Sequence, residues 1–565
     1  MIADLEEING EEAFKAMSYR RAADYIFKMS EAIEDTASRD ALQEIPGVGR
    51  NIAQKIKDII GTGTTKHLED LLTKVPEELL ELLKIPGLGP RTASRLYREA
   101  GVTGIGDLEA ALKDGRVAAL KGFGQRRVQA LEKGLHDLGS RDRRHLLAYA
   151  WPVAEEIAQT LMSCAPGVRA EVAGSIRRRK ETVGDVDIVA ACNEENVPAV
   201  ARCFLTGRGI GEVLAGGPTK CSIRLDGGMQ VDLRIVRMHE FTTALHHFTG
   251  SKEHHVHLRG IAKDLGLKIN EYGVFKEEAG SAEEPVPVKD ESELYRLLGM
   301  DYVPPEMRED TGEVEAALES RLPSLVETED ILGDLHIHSN FTDGIDSIER
   351  LARAAASRGY EYIAITDHSK ALAFARGLDE ERLSQQAELI DSLNKSVPGL
   401  RILKGIEVDI LAGGKMDLPD DALRRCDVVV ASIHSGFRND QEQIYSRLEG
   451  ACKNPHVDII GHPTGRIIGQ RDPYPLDMPR LVDLAKKTGT VLEINASPDR
   501  LDMSDQYARA CKQAGVRCSI DTDAHSLRGL DDIRFGIDVA RRGWLGKDDV
   551  LNTKRLHHLL AEIGK

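Results

Sequence analysis

From about residue 333 onward the chain repeats one pattern: a short apolar run, a potential metal ligand, then a longer segment with helical apolar spacing. The runs are Leu332-Gly-Asp-Leu-His-Ile-His338, Ile365-Thr-Asp-His368, Lys404-Gly-Ile-Glu-Val408, Ala431-Ser-Ile-His434, Ile459-Ile-Gly-His-Pro463 and Asp521-Thr-Asp-Ala-His525. Alternation along a strand points His336 and His338 the same way, and likewise Asp523 and His525. The segments Ser347–Arg358, Glu380–Lys395 and Met478–Thr488 have the apolar spacing of covering helices. Strand, ligand and helix in recurrence predict a closed β/α barrel with its chemistry at the C-terminal ends of the strands. A single histidine at a strand end is usually structural, but repetition of the device argues for a common metal centre. The candidate ligands are His336, His338, Asp343, His368, Glu407, His434, His462, Asp523 and His525. Imidazole mixed with carboxylate suits Zn²⁺, Mn²⁺ or iron better than Mg²⁺.

The first 145 residues show a different periodicity. Ile45-Pro-Gly-Val-Gly-Arg-Asn-Ile-Ala53, Ile85-Pro-Gly-Leu-Gly-Pro-Arg-Thr-Ala93 and Leu120-Lys-Gly-Phe-Gly-Gln-Arg-Arg-Val128 each run a helix end into Gly-x-Gly and a new helix. Gly47 and Gly49, Gly87 and Gly89, and Gly122 and Gly124 permit tight turns and leave backbone N–H groups free at helix N-termini. Such a turn can grip a phosphodiester, whereas one copy alone would equally be a packing corner. Repetition resembles helix-hairpin-helix motifs, whose contacts to DNA are backbone-directed and indifferent to sequence. Lys55, one turn past the first hairpin, is a candidate for Schiff-base chemistry with an abasic-site aldehyde or simply a phosphate contact.

Between these regions, Asp185 and Asp187 alternate with apolar residues in Gly184-Asp-Val-Asp-Ile-Val189, and Asp232 sits in Gln230-Val-Asp-Leu-Arg-Ile-Val236. Three carboxylates on neighbouring strands are what two Mg²⁺ ions need to clamp the attacking and leaving oxygens of phosphoryl transfer. Gly174 and Ser175 can cradle a triphosphate, and Arg178 adds a fork of donors. Together with the hairpins, this region resembles the family X DNA polymerases over residues 1 to about 315. The resemblance extends to His247-Phe-Thr-Gly-Ser-Lys252, and it implies sugar packing by Phe248 and Gly250. It also places His255 at the incoming base and Arg259 on the template side. His255 stands where the family has asparagine, and an imidazole there can donate one hydrogen bond. His247 replaces a tyrosine of many members, and Asn51 replaces a lysine of lyase-active relatives.

The barrel motifs are similar to those of the PHP (polymerase and histidinol phosphatase) domain, with Asp343 where some members have histidine. That resemblance implies up to three metal ions, Mn²⁺ or Zn²⁺, and cleavage of phosphate esters, here a 3′–5′ exonuclease or 3′-end processing. The alternatives are a small-molecule phosphoesterase in the barrel or a DNA-end binding scaffold.

Composition changes this picture only at its edges. The net charge of −17 over 565 residues argues against indiscriminate nucleic-acid binding, though not against local backbone contacts. Eight dispersed cysteines read as reduced thiols, and Met1-Ile-Ala-Asp-Leu-Glu-Glu carries no signal-peptide pattern, so a cytoplasmic protein is expected. No apolar run is long enough to span a membrane. The expected architecture is multidomain: an α-helical helix-hairpin-helix region at 1–145, an α+β nucleotidyltransferase palm at 146–240, a small thumb-like nucleotide-selecting lobe at 241–312, a linker at 313–332 and a distorted β/α barrel at 333–565. Asp301–Asp310 reads as extended, with a short acidic helix after it. The expected partners are gapped or primer-template DNA and dNTPs, bound by a monomer.

Overall fold

The computed structural model describes residues 1–10, 13–28, 33–83, 85, 88–140, 144–276 and 285–565. Its N-terminal part is helical, and its hairpins lead into the helices Arg50–Thr62, Pro90–Ala100 and Gln125–Ser140. The apolar residues around the second and third hairpins, Ile85, Leu88 and Phe123 among them, share one buried cluster.

The palm is a five-stranded sheet whose centre pairs Asp185–Ala191 with Gln230–Val236 in parallel. Helix Leu147–Ser163 packs its Leu147, Ala150, Ala154, Ala158 and Leu161 stripe, at helical spacing, into the palm core. The lobe that follows has helices Phe241–Thr249 and Lys252–Asp264 and the antiparallel strands Leu267–Asn270, Gly273–Lys276 and Pro285–Val286.

The C-terminal part is a seven-stranded parallel sheet with its strands in sequence order. It curls until Ile337 bridges Ala524 and the His338 N–H donates to the Ala524 carbonyl at 2.9 Å, which nearly closes the barrel. Helices Ile348–Ser357, Glu380–Leu393 and Met478–Thr488 match the three expected from apolar spacing. Tyr362, Ala364, Leu403, Val428, Val430, Ile459 and Val491 form a second apolar cluster with Leu551 and Leu559, away from the ligand ends of the strands. One continuous apolar cluster runs from the palm into the barrel. Polar ties add to this: Arg466 Nη2 meets Glu181 Oε2 of the palm at 2.6 Å, and Arg541 Nε meets Glu306 Oε1 of the lobe segment at 3.0 Å.

Two expectations fail. The stretch Asp301–Asp310 is not an extended strap: Pro305 opens a 3₁₀ turn, Pro305–Met307, and Val303, Met307 and Arg308 are buried. Prolines exclude an α-helix interior but suit the first position of a turn, and the reading of sequence overlooked the apolar residues between them. The short helix Glu313–Leu318 exists, yet it too packs inward, with the Glu313 carboxylate 2.7 Å from His254 Nδ1. The second failure concerns the thiols. Cys164 and Cys203 form a disulfide with Cα atoms 6.4 Å apart, while the six remaining cysteines are free and buried. A separation of 39 residues hides the packing of the two helices that brings this pair together. No helix among the described residues is long and apolar enough to cross a membrane.

Arg308 is fully buried, and its charge is met by Glu291 at 2.6 Å, which also accepts from Arg177 at 2.6 Å. Burial raises the Glu291 carboxyl, but Arg308 and Arg177 outweigh it and hold the group at about 2. Replacing Glu291 by alanine strands a buried guanidinium and should cost about 3–5 kcal/mol, measurable as a lower urea midpoint. Because the folded-state value lies below the ordinary 4.5, the wild-type advantage is present above that pH and lost as pH falls through about 2. A gap between wild type and variant that fails to close on acidification would contradict this assignment.

Candidate active sites

At the first hairpin Gly47 has φ +87°, as does Gly122 at the third, a turn that L side chains rarely adopt. Gly49, Gly89 and Gly124 each give their carbonyl to the first turn of the following helix. A β-carbon on any of these three would meet nothing within 4 Å, and all three glycines are exposed. Gly87 lies outside the described residues. Lys55 is half-exposed, with Nζ 3.5 Å from the Asn51 carbonyl and 5.8 Å above the Tyr19 ring.

In the palm, parallel pairing sets Asp187 directly beside Asp232, and Asp185 precedes Asp187 by one alternation on the same face. The three carboxylates are close enough to disturb one another. Burial, then repulsion from Asp185 and Asp232, pushes the Asp187 carboxyl up to about 7, while Arg178 and Arg234 pull it back. Lys220 Nζ, which sequence reading missed, lies 3.5 Å from Asp232 Oδ2. Gly174 is fixed by contact as well as by conformation. Its φ is +60°, and a β-carbon there would fall 2.1 Å from Asp187 Oδ2. Ser175 follows in the one-turn helix Gly174–Arg177, which the Arg177–Glu291 pair ties to the lobe. Arg178 donates to the Thr249 carbonyl, next to Gly250, and meets Glu309 Oε1 at 3.1 Å. Phe248 is half-buried with the Arg234 guanidinium 5.0 Å from its ring.

His255 corrects an expectation. It is 8% exposed, and its Nε2 lies 3.0 Å from the His246 carbonyl. Burial, with His247, His254 and Arg308 nearby, lowers its pKa to about 3, so the ring is neutral and has one N–H. A carbonyl only accepts, so that N–H is committed to His246 and is not left to donate to an incoming base. Arg259, one turn on, donates from Nε to the His255 carbonyl at 3.3 Å.

All nine barrel candidates converge. Glu407 sits at the centre: His368 Nδ1 lies 2.6 Å from its carboxylate, His462 Nε2 3.0 Å, His434 Nε2 3.2 Å, His336 Nε2 3.5 Å and His338 Nε2 3.7 Å. Asp523 approaches His338 at 3.0 Å, and Asp343 lies 3.4 Å from both His368 and His525. Burial disfavours the ionised Glu407, but His434, His368 and His336 overcome it and hold the carboxyl well below the usual range. Two of the candidates, His462 at φ 28° and Asp523 at φ 54°, occupy the left-handed region, a strain the surrounding fold has to hold.

The donor set fits divalent cations. His336 Nε2, both ring nitrogens of His338, Asp343 Oδ1 and Glu407 Oε2 are buried without hydrogen-bond partners. His336, His338, Asp343, His368, Glu407, His434 and His525 form three overlapping groups whose ligand atoms all lie within 4.8 Å of one another within each group. A buried polar atom without a partner is costly, and a shared cation removes that cost.

Reading of sequence missed the residues that hold these candidates in place. Glu493 Oε1 lies 2.6 Å from His336 Nδ1, and its other oxygen accepts from the His462 backbone N–H. Asp409 Oδ2 lies 3.6 Å from His434 Nδ1. Arg500 Nε lies 3.8 Å from Asp523 Oδ2. An acid flanked by apolar residues in the strand Val491–Asn495 is the same signal that singled out Glu407, and it was available for Glu493.

Family models match along the chain: a helix-hairpin-helix domain at residues 1–65, a tandem helix-hairpin-helix at 39–100 and 79–137, a DNA polymerase beta thumb at 244–309 and a PHP domain at 334–497. The DNA polymerase/3′-5′ exonuclease PolX of Bacillus subtilis (strain 168) is 41% identical over 99% of this chain and 97% of its own length. A probable phosphatase of Thermoanaerobacter sp. (strain X514) is 31% identical over 39% of this chain and 89% of its own. One of Acetivibrio thermocellus is 30% identical over 34% and 78%. With a relative of that identity along nearly its whole length, and with the hairpins, thumb and barrel each matched in order, the chain belongs to the family X DNA polymerases that carry a C-terminal PHP domain.

Proposed function

We propose that this chain extends a primer on gapped DNA in its palm and trims or processes 3′ ends in its barrel, as a gap-filling repair enzyme. The observation that carries the reading is the presence of two separate charged centres, a carboxylate trio in the palm and an imidazole-rich cage in the barrel. In the palm, Asp185, Asp187 and Asp232 would hold two Mg²⁺ ions, since they offer oxygen donors alone. In the barrel the nine converging residues would hold up to three ions, Mn²⁺ or Zn²⁺, because imidazole predominates. Such ions neutralise charge that develops on phosphate and lower the pKa of a hydroxyl or water.

The protein's own groups do the positioning. Gly174 and Ser175 present backbone and hydroxyl to the triphosphate, with Arg178 exchanging Glu309 for phosphate. Phe248 and Gly250 pack against the sugar, and Arg259 faces the template. His255 supports this lobe from within, by its bond to the His246 carbonyl. The N–H groups of the exposed Gly49, Gly89 and Gly124 would take the DNA backbone. Gly47 and Gly122 would form the turns that present them, and a place at the DNA backbone is proposed for Gly87 too. Lys55 is the side chain proposed for Schiff-base chemistry, from its place one turn beyond the first hairpin. We place the regions at 1–145, 146–240, 241–312, 313–332 and 333–565, the fourth being a packed connector, and the working unit as a monomer.

The relatives named as probable phosphatases align with the barrel half alone, which favours a second reading, a small-molecule phosphoesterase there. Comparing hydrolysis of a 3′-recessed duplex with that of a small phosphate ester separates the two.

On a one-nucleotide gap, Asp185→Ala should lower primer extension by about 10²-fold or more and leave 3′-end degradation intact, whereas His336→Ala should do the reverse. Loss of both activities from either folded variant would contradict two independent centres. Removing the carboxylate that aims His336, in Glu493→Gln, should weaken Mn²⁺ binding to the full chain by about 10–100-fold, measured by calorimetry. Unchanged affinity would deny Glu493 that role.

A further inference from the structure

The loop that leaves His368 carries a feature that metal binding does not use. Phe374 is 79% exposed, more than any other large apolar side chain among the described residues. Its loop is nevertheless tightly held. The Ser369 N–H donates to the Glu407 carbonyl at 3.0 Å, and the Leu378 N–H donates to the His368 carbonyl at 2.7 Å. The Ala371 N–H donates to Asp417 Oδ2 at 2.7 Å. Leu372 and Ala375 on either side turn inward and are buried, so the chain spends its apolar neighbours on anchoring and leaves the ring outside. Arg376 donates to the Asn340 carbonyl at 3.2 Å and to that of Thr342, and Arg382 reaches the Phe341 carbonyl. The loop is thereby fastened to the segment that presents Asp343. Phe374 thus stands bare on a rigid support, joined on one side to the ligand His368 and on the other to the stretch bearing Asp343.

A rigid exposed ring beside a site for phosphate-ester chemistry suits one class of partner. A nucleobase offers a flat π-face whatever its identity, and stacking on an aromatic side chain is the usual way to hold single-stranded nucleic acid without reading its sequence. A base inside a duplex already has both faces covered, so the ring selects an unpaired end. We propose that Phe374 is the stacking platform for an unpaired nucleobase next to the phosphodiester that enters the barrel. This deepens, and rests on, the reading of the barrel as acting on DNA.

The test compares the full chain, Phe374→Ala and Phe374→Trp in Mn²⁺ on two single-stranded oligonucleotides. One ends in an ordinary nucleotide and the other in a tetrahydrofuran abasic residue. Alanine should raise KM about tenfold for the base-bearing end, leave kcat unchanged, and have no effect on the abasic end. Tryptophan should restore the wild-type KM. Equal KM for all three proteins, or equal loss on both ends, would overturn the stacking role. Wild-type protein that degrades neither oligonucleotide would overturn the reading of the barrel itself and this role with it, an outcome distinct from an active enzyme indifferent to residue 374.

Discussion

A carboxylate buried among imidazoles is stable only if every neighbour is aimed at it, and Glu407 imposes that condition on the C-terminal half of this protein. Five histidines from four strand ends, His336 and His338 sharing one, approach its two oxygens within 3.7 Å. An ion removed from water costs several kcal/mol unless it is compensated. The barrel must therefore close far enough to bring the first strand beside the last, and the Ile337–Ala524 bridge accomplishes this. Glu493 then fixes the orientation of His336, and the strain at His462 and Asp523 is borne by strands packed against an apolar interior. The palm answers the same electrostatic problem differently. Its three acids repel, and the parallel register between Asp187 and Asp232 holds them together regardless. Neither arrangement is comfortable without cations, which is the physical ground for a metal-dependent protein.

The two centres are mechanically connected. The apolar cluster of the palm continues into the barrel, Arg466 spans from the loop after His462 to Glu181, and Arg542 donates to the Arg178 carbonyl at 2.7 Å. Arg178, the proposed triphosphate contact, is thus within reach of barrel, lobe and palm alike. Glu309, which pairs with both Arg178 and Arg542, would have to yield one of them to a nucleotide.

Much of this was legible in the chain because strand alternation and short motifs report local geometry. Asp185 and Asp187, the pairs His336/His338 and Asp523/His525, and the hairpin glycines are each defined by neighbours one or two residues away. What escaped depended on distance. The Cys164–Cys203 bond, the burial of Arg308 against Glu291 and the inward turn of His255 are settled by packing between segments far apart in sequence. Proline at 304 and 305 argued correctly against an α-helix but said nothing of the buried residues beside it. Glu493 was within reach of the same reasoning that found Glu407, since an acid in an apolar strand needs a partner.

The most direct test of the account is anomalous diffraction at the manganese edge from crystals of the full chain equilibrated with Mn²⁺. The account predicts density both within the cage around Glu407 and beside Asp185, Asp187 and Asp232. Manganese found at neither place, or at one centre with the other empty at saturating metal, would contradict it.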